Sequence, residues 1–100
     1  MLYNPNWNRE ITLKNFAAWL TTKPPDEAYE WDYCTRCACG QWLTDIDRLR
    51  DVAWASWYCT DNPLGIANDI AGRGKPTFGA LAKRVHKHLK RHGAKKHAFL

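Results

Sequence analysis

The sequence predicts an α+β fold: one small domain, mainly helical, with a short antiparallel sheet lined by aromatic side chains. Three observations point there. Apolar residues recur at helical spacing in two well-separated stretches, Leu13-Phe16-Ala17-Leu20 and Phe78-Leu81-Val85-Leu89. Between them Tyr29, Trp31 and Tyr33 alternate with Glu30 and Asp32, the period-two pattern of a half-buried strand. Six tryptophans in one hundred residues supply a large apolar area for a small core. A chain of this length has too much surface for two separate cores, so residues 1–100 read as a single domain.

Residues 1–10 are polar, Asn-rich and interrupted by Pro5, which predicts an extended lead-in. The first helix follows Thr12 as N-cap, with Ile11 and Phe16 placed as a hydrophobic staple. Lys23 sits near its end, where a cation suits the helix dipole. Pro24-Pro25 stops it, because the residue before a proline is pushed out of the helical region. Residues 28–33 form the first strand. A second helix is expected from Thr35 as N-cap through Cys37, Trp42 and Leu43, continuing toward Ala53 because Ile46 and Leu49 keep the helical period. Along it Asp45 and Asp47 precede Arg48 and Arg50 at ion-pair spacing. Residues 52–60, with Trp54 and Trp57, are read as the strand that pairs with 28–33. A short helix then starts at Asp61 or Asn62 with Pro63 in its first position, a favoured place for proline. Gly72 to Pro76 is a loop by composition. The last helix spans 77–93, capped by Thr77 and stopped by Gly93, and 94–100 is a flexible tail.

Charge divides the chain. Up to Asp69 there are six Lys/Arg against ten Asp/Glu. From Ile70 onward there are nine Lys/Arg, all four histidines and no acid. On the last helix the basic residues occupy every side except the apolar stripe. Lys83, Arg84, Lys87, Lys90 and Arg91, continued by Lys95 and Lys96, are therefore the candidate binding residues. Lysine and arginine displace condensed counterions when they neutralise phosphates, so this pattern suits a nucleic-acid backbone or an acidic protein groove. The bland alternative is a solvated terminal helix. No cluster of Arg, Asn and Gln marks a base-reading helix, so sequence-specific readout is not expected.

No catalytic motif is complete, and the chain is expected to be non-enzymatic, without cofactor or bound metal. Cys34-x-x-Cys37 has zinc-knuckle spacing, and Cys39 and Cys59 would complete four thiolates, but a second Cys-x-x-Cys pair is missing. Two residues apart on a helix, Cys37 and Cys39 would point about 200° from one another. A disulfide and free buried thiols are the other readings. His88 and His92 are spaced to share a metal, with no carboxylate near in sequence to orient them. Asp47 and Asp51 fall at i, i+4 beside Arg48 and Arg50, which reads as a surface charge network. Gly72-x-Gly74-Lys75 is a fragment of a phosphate loop without its full spacing.

Three stretches together carry a resemblance: Thr22-Lys23-Pro24-x-Asp26-Glu27-x-Tyr29, Cys37-Ala38-x-Gly40-Gln41-Trp42-Leu43 and Thr77-Phe78-Gly79-Ala80-Leu81-Ala82. Their order and spacing resemble small, mostly uncharacterised bacterial proteins carried on phage and other mobile elements. Cys37 belongs to that pattern; Cys34, Cys39 and the histidine- and lysine-rich continuation after Val85 do not. The resemblance implies a phage-type inhibitor or modulator, of the anti-CRISPR kind, that occludes a host protein or nucleoprotein complex through the basic helix and exposed aromatics. It also implies the cytoplasm of a bacterial host cell. That agrees with a start, Met1 to Asn6, showing neither a basic leader nor an apolar run, and with no stretch approaching the ~20 apolar residues that cross a bilayer. The alternatives are a general nucleic-acid-binding protein and a zinc-stabilised interaction module.

Overall fold

The computed structural model of the chain describes residues 9–30, 36–51 and 62–92, with the backbone alone for Asp51 and His92. Among these there are four α-helices: α1 (Leu13–Leu20), α2 (Ala38–Asp45), α3 (Pro63–Ala71) and α4 (Phe78–His92). A 3-10 turn at Leu49–Asp51 follows α2. Helix α1 packs on α4 and α3, and α3 also packs on α2 and α4. No helix among the described residues is long and apolar enough to cross a membrane.

Local signals set three of the helix starts. The Thr12 hydroxyl accepts the Asn15 N–H at 3.0 Å, satisfying a donor that the first turn leaves open. Asn62 does the same for Gly65 at 2.9 Å, with Pro63 in the first position of α3. In α2 the cap is Cys37, whose Sγ accepts the Gly40 N–H at 3.3 Å. The expected cap, Thr35, lies outside the described residues.

Helix α2 ends at Asp45 and does not continue to Ala53. Asp47 adopts the left-handed region, with φ 56°. Asp47 N–H then donates to Thr44 O at 3.1 Å and Arg48 N–H to Leu43 O at 2.8 Å, the two bonds of a Schellman ending. The Arg9 guanidinium covers the carbonyls beyond it, donating to Ile46 O and Asp47 O at 2.9 Å each. A cation there also suits the negative end of the helix. The expected pairing of Asp45 with Arg48 is replaced. Asp45 is buried and accepts the Trp19 indole N–H at 2.7 Å.

The fold class needs correction. The described residues are mostly helical and contain no strand and no sheet, so the expected α+β class is not what they form. The segment expected as the first strand is a strap against the loop before α4. Ala28 forms an isolated antiparallel bridge with Thr77. Tyr29 N–H donates to Pro76 O at 2.9 Å, and Phe78 N–H to Glu27 O at 3.0 Å. Burial alternates as expected, with Tyr29 inside and Glu30 outside, but the backbone partner is a loop. Trp31 to Tyr33 and the partner strand at 52–60 lie outside the described residues.

The core is aromatic at its centre. Phe16 lies 5.9 Å from Trp19 and 5.1 Å from Trp42, Trp19 meets Phe78 edge-on at 5.8 Å, and Tyr29 lies 5.5 Å from Phe78. Lys23 is drawn over this cluster. Its ammonium stands 5.5 Å from the Trp19 ring centre and 5.1 Å from that of Phe78, and 3.8 Å from Glu27. Its side chain is only 9% exposed, so it serves as a cationic lid more than as a dipole cap.

The start of α4 is fixed by the strap. Gly79 N–H donates to Pro25 O at 2.9 Å. A Cβ on Gly79 would sit 2.7 Å from the Pro25 Cβ, so this close approach requires glycine.

Candidate functional site

Helix α4 is anchored by Phe78, Leu81 and Val85, each fully buried, with Ala82 and Leu89 packed against the core edge. The remaining surface is basic. Lys83, His86, Lys87, Lys90 and Arg91 are exposed, and among the described residues Lys83, Lys87, Lys90 and Arg91 form no ion pair. From Lys83 to Arg91 the helix rises about 12 Å, roughly the length of three to four nucleotide steps along one strand. Lys95 and Lys96 lie outside the described residues.

Arg84 differs from its neighbours. Its Nε donates to Ile70 O at 3.2 Å and its Nη1 to Lys75 O at 3.1 Å. Its Nη2 donates to the Tyr29 hydroxyl at 3.1 Å and to Ala71 O at 3.4 Å. The Tyr29 hydroxyl in turn donates to Ala71 O at 2.6 Å. Arg84 therefore fastens α4 to the carbonyl end of α3, where a cation is favoured. It positions the ridge and does not belong to its outer face. Burial raises the Tyr29 pKa, and the Arg84 guanidinium opposes that shift.

Two cations that the candidate set omits complete the face. Lys14, exposed on α1, lines a groove of about 620 Å³ with His86, Lys87, Leu89 and Lys90. Arg73, from the turn after α3, lines a notch of about 250 Å³ with Ile70, Arg84, Lys87, His88 and Arg91. Arg73 was visible in the basic run, and its signal is the short Gly72–Pro76 loop, which returns the end of α3 to the middle of α4. Lys14 belongs to the acidic part of the sequence and only the packing of α1 on α4 brings it here.

The other chemical candidates have structural roles where they are described. Cys39 is buried, its thiol 4.0 Å from Leu64 O, and its pKa is raised well above the ordinary value by burial and by Cys37 beside it. That disfavours the thiolate needed for a ligand or nucleophile. Cys34, Cys59 and the His92 side chain lie outside the described residues, and among those described no three metal-ligating side chains converge. The phosphate-loop fragment is occupied by protein. The first amides of α4 bind the carbonyls of Pro25 and Glu27, and Gly74 backs onto the Arg84 guanidinium. Asp47 is exposed at the helix ending, and the side chain of Asp51 is not described. Comparison with protein-family models, with curated proteins and with solved structures finds no match to this chain.

Proposed function

We propose that this chain is a non-enzymatic binding protein that lays the α4 ridge along the phosphate backbone of nucleic acid, free or within a nucleoprotein complex. The observation that carries this is the set of exposed cations Lys83, Lys87, Lys90 and Arg91, without an acidic partner among the described residues, on a helix anchored by its apolar stripe. The reading is electrostatic and independent of sequence. The five described aromatic rings are buried in the core, so on the described surface the contacts come from the cations. The phage-inhibitor expectation is a special case in which the ridge occludes the nucleic-acid face of a host complex.

The test is fluorescence anisotropy with a random-sequence duplex over a range of salt concentrations. Contacts from Lys83, Lys87, Lys90, Arg91 and Arg73 give an expected log–log slope of about −4.5. A flat salt dependence, or no binding at 50 mM salt, refutes the reading. Replacing Lys83, Lys87, Lys90 and Arg91 together by Glu should abolish binding while far-UV circular dichroism stays unchanged.

A further inference from the structure

The notch at the α3–α4 seam differs from the open ridge. It is a cleft of about 250 Å³ lined from two elements, by Ile70 at the end of α3 and Arg73 after it, and by Lys87, His88 and Arg91 on α4. Arg84 also lines it, and its bonds to three backbone carbonyls and to the Tyr29 hydroxyl fix its charge in place. The carbonyl end of α3 would ordinarily repel an anion here. It is covered instead, since Ile70 O and Ala71 O accept from Arg84, and the Arg73 N–H also donates to Ile70 O at 3.2 Å. The acid beside the notch is Asp69, whose carboxylate holds the Arg73 guanidinium at 2.6 Å. Both partners are solvent-exposed, 69% and 46%, so the pair is exchangeable.

We infer that this notch is a phosphate-binding subsite. The phosphate oxyanion sits between Arg73 and Arg91, with Lys87 and His88 between them and Arg84 as the fixed positive wall. Asp69 is a placeholder. The incoming phosphate exchanges one charge-assisted bond on Arg73 for another, so the guanidinium is never left without an acceptor. The inference rests on the nucleic-acid reading for the source of the phosphate. An internal phosphodiester and a phosphorylated strand end offer the same oxyanion.

The experiment titrates inorganic pyrophosphate into the full chain, followed by calorimetry and by ¹H–¹⁵N spectra that include the arginine Nε–H groups. Saturable binding is expected, with the largest shifts at Arg73 and at Lys87 to Arg91. Each of R73Q and R91Q should weaken binding about tenfold, as loss of one charge-assisted bond does. K83Q and K90Q, on the outer arc, should change it less than about twofold. D69N should tighten binding by freeing Arg73, whereas the charge-matched D26N should not. No saturation by roughly 20 mM pyrophosphate, weaker than the millimolar range by about tenfold, overturns the inference. Equal losses from K83Q and R91Q do the same, since they describe a diffuse field and not a site. Oligonucleotides with a 5′-phosphate or a 5′-hydroxyl then assign the source: preference for the phosphate indicates a strand end, and equal affinity an internal phosphodiester. The two readings fail separately. Salt-dependent duplex binding without pyrophosphate binding removes the notch alone. Pyrophosphate binding in the expected variant order, without duplex binding, removes the nucleic-acid reading alone.

Discussion

Replacing Gly79 by Ala tests the packing that places α4. The new Cβ would lie 2.7 Å from the Pro25 Cβ, 2.9 Å from the Pro25 O and 3.1 Å from the Pro25 Cα. Carbon atoms pack at about 3.5–4.0 Å, so the strap must retreat by most of an ångström. None of the three atoms is the end of a flexible side chain. The same Pro25 carbonyl accepts the Gly79 N–H, and the strap also carries the Ala28–Thr77 bridge and the buried Tyr29. Overpacking of this kind costs about 1–3 kcal/mol, and a weakened hydrogen bond adds about 1 kcal/mol. Alanine returns up to about 1 kcal/mol of helix propensity. The net expectation is a loss of about 1–3 kcal/mol. For a domain of this size each kcal/mol lowers Tm by about 4–8 °C. Urea unfolding followed by tryptophan fluorescence, with thermal melts by circular dichroism, measures it. If Gly79→Ala is as stable as the parent, or more so, the close contact with Pro25 does not exist and the placement of the strap is wrong.

Three further outcomes follow from the core and the helix ends. Asp45→Ala leaves the Trp19 indole N–H buried without an acceptor and should cost about 1–3 kcal/mol in urea unfolding, while Asp45→Asn, which retains an acceptor oxygen, should cost less. Asp47→Gly relieves a left-handed residue at the end of α2 and should raise stability by about 0.5–1 kcal/mol; a loss would mean that the Schellman ending is not formed. Tyr29 and Cys39 both have raised pKa values, so the fold holds their protons more tightly than the unfolded chain does. Their contribution is complete below the unfolded pKa values, about 9 for the thiol and about 10 for the phenol, and is lost as pH rises from there through the higher folded ones, so unfolding midpoints should fall above about pH 9. Tyr29→Phe combined with Cys39→Ala should flatten the fall, and an unchanged pH profile in that variant would assign it to other groups.

What could be read from the sequence was whatever is decided locally. The Thr12 cap, the Asn62-Pro63 start and the stripe of Phe78, Leu81 and Val85 depend on neighbours within one or two turns, and the structure has them. The strand expectation failed because alternation reports burial and not the backbone partner. Tyr29 is inside, yet the groups that bond its segment come from Pro76, Thr77 and Phe78, some fifty residues away. The end of α2 was missed because Ile46 and Leu49 keep a helical period through a left-handed residue and a 3-10 turn. Segments 22–29 and 77–82, far apart in sequence, meet through the Phe78–Glu27 and Gly79–Pro25 bonds and the Ala28–Thr77 bridge. The need for glycine at position 79 is set by Pro25, which no local pattern reveals.

The basic residues separate by the same distinction. Arg9, Lys23 and Arg84 look no different in sequence from their neighbours, but each has internal work, on the carbonyls of α2, on the aromatic cluster and on the end of α3. Lys83, Lys87, Lys90 and Arg91 have none among the described residues. They stand at i, i+4 and i, i+3 from one another, where like charges cost a few tenths of a kcal/mol per pair. The ridge therefore weakens the free protein slightly, and a polyanion would relieve that repulsion. Salt must then act with opposite signs on the two properties. Raising NaCl from 50 to 500 mM should screen the ridge and raise the Tm of the free chain, while lowering its affinity for duplex by several orders of magnitude at a slope of about −4.5. Charge-neutral K83Q/K87Q/K90Q/R91Q should be more stable than the parent at low salt, lose the rise of Tm with salt, and keep a duplex slope of only about −0.9 from Arg73. A parent whose Tm ignores salt would show that these charges are too well solvated to repel, and the ridge would lose its energetic signature.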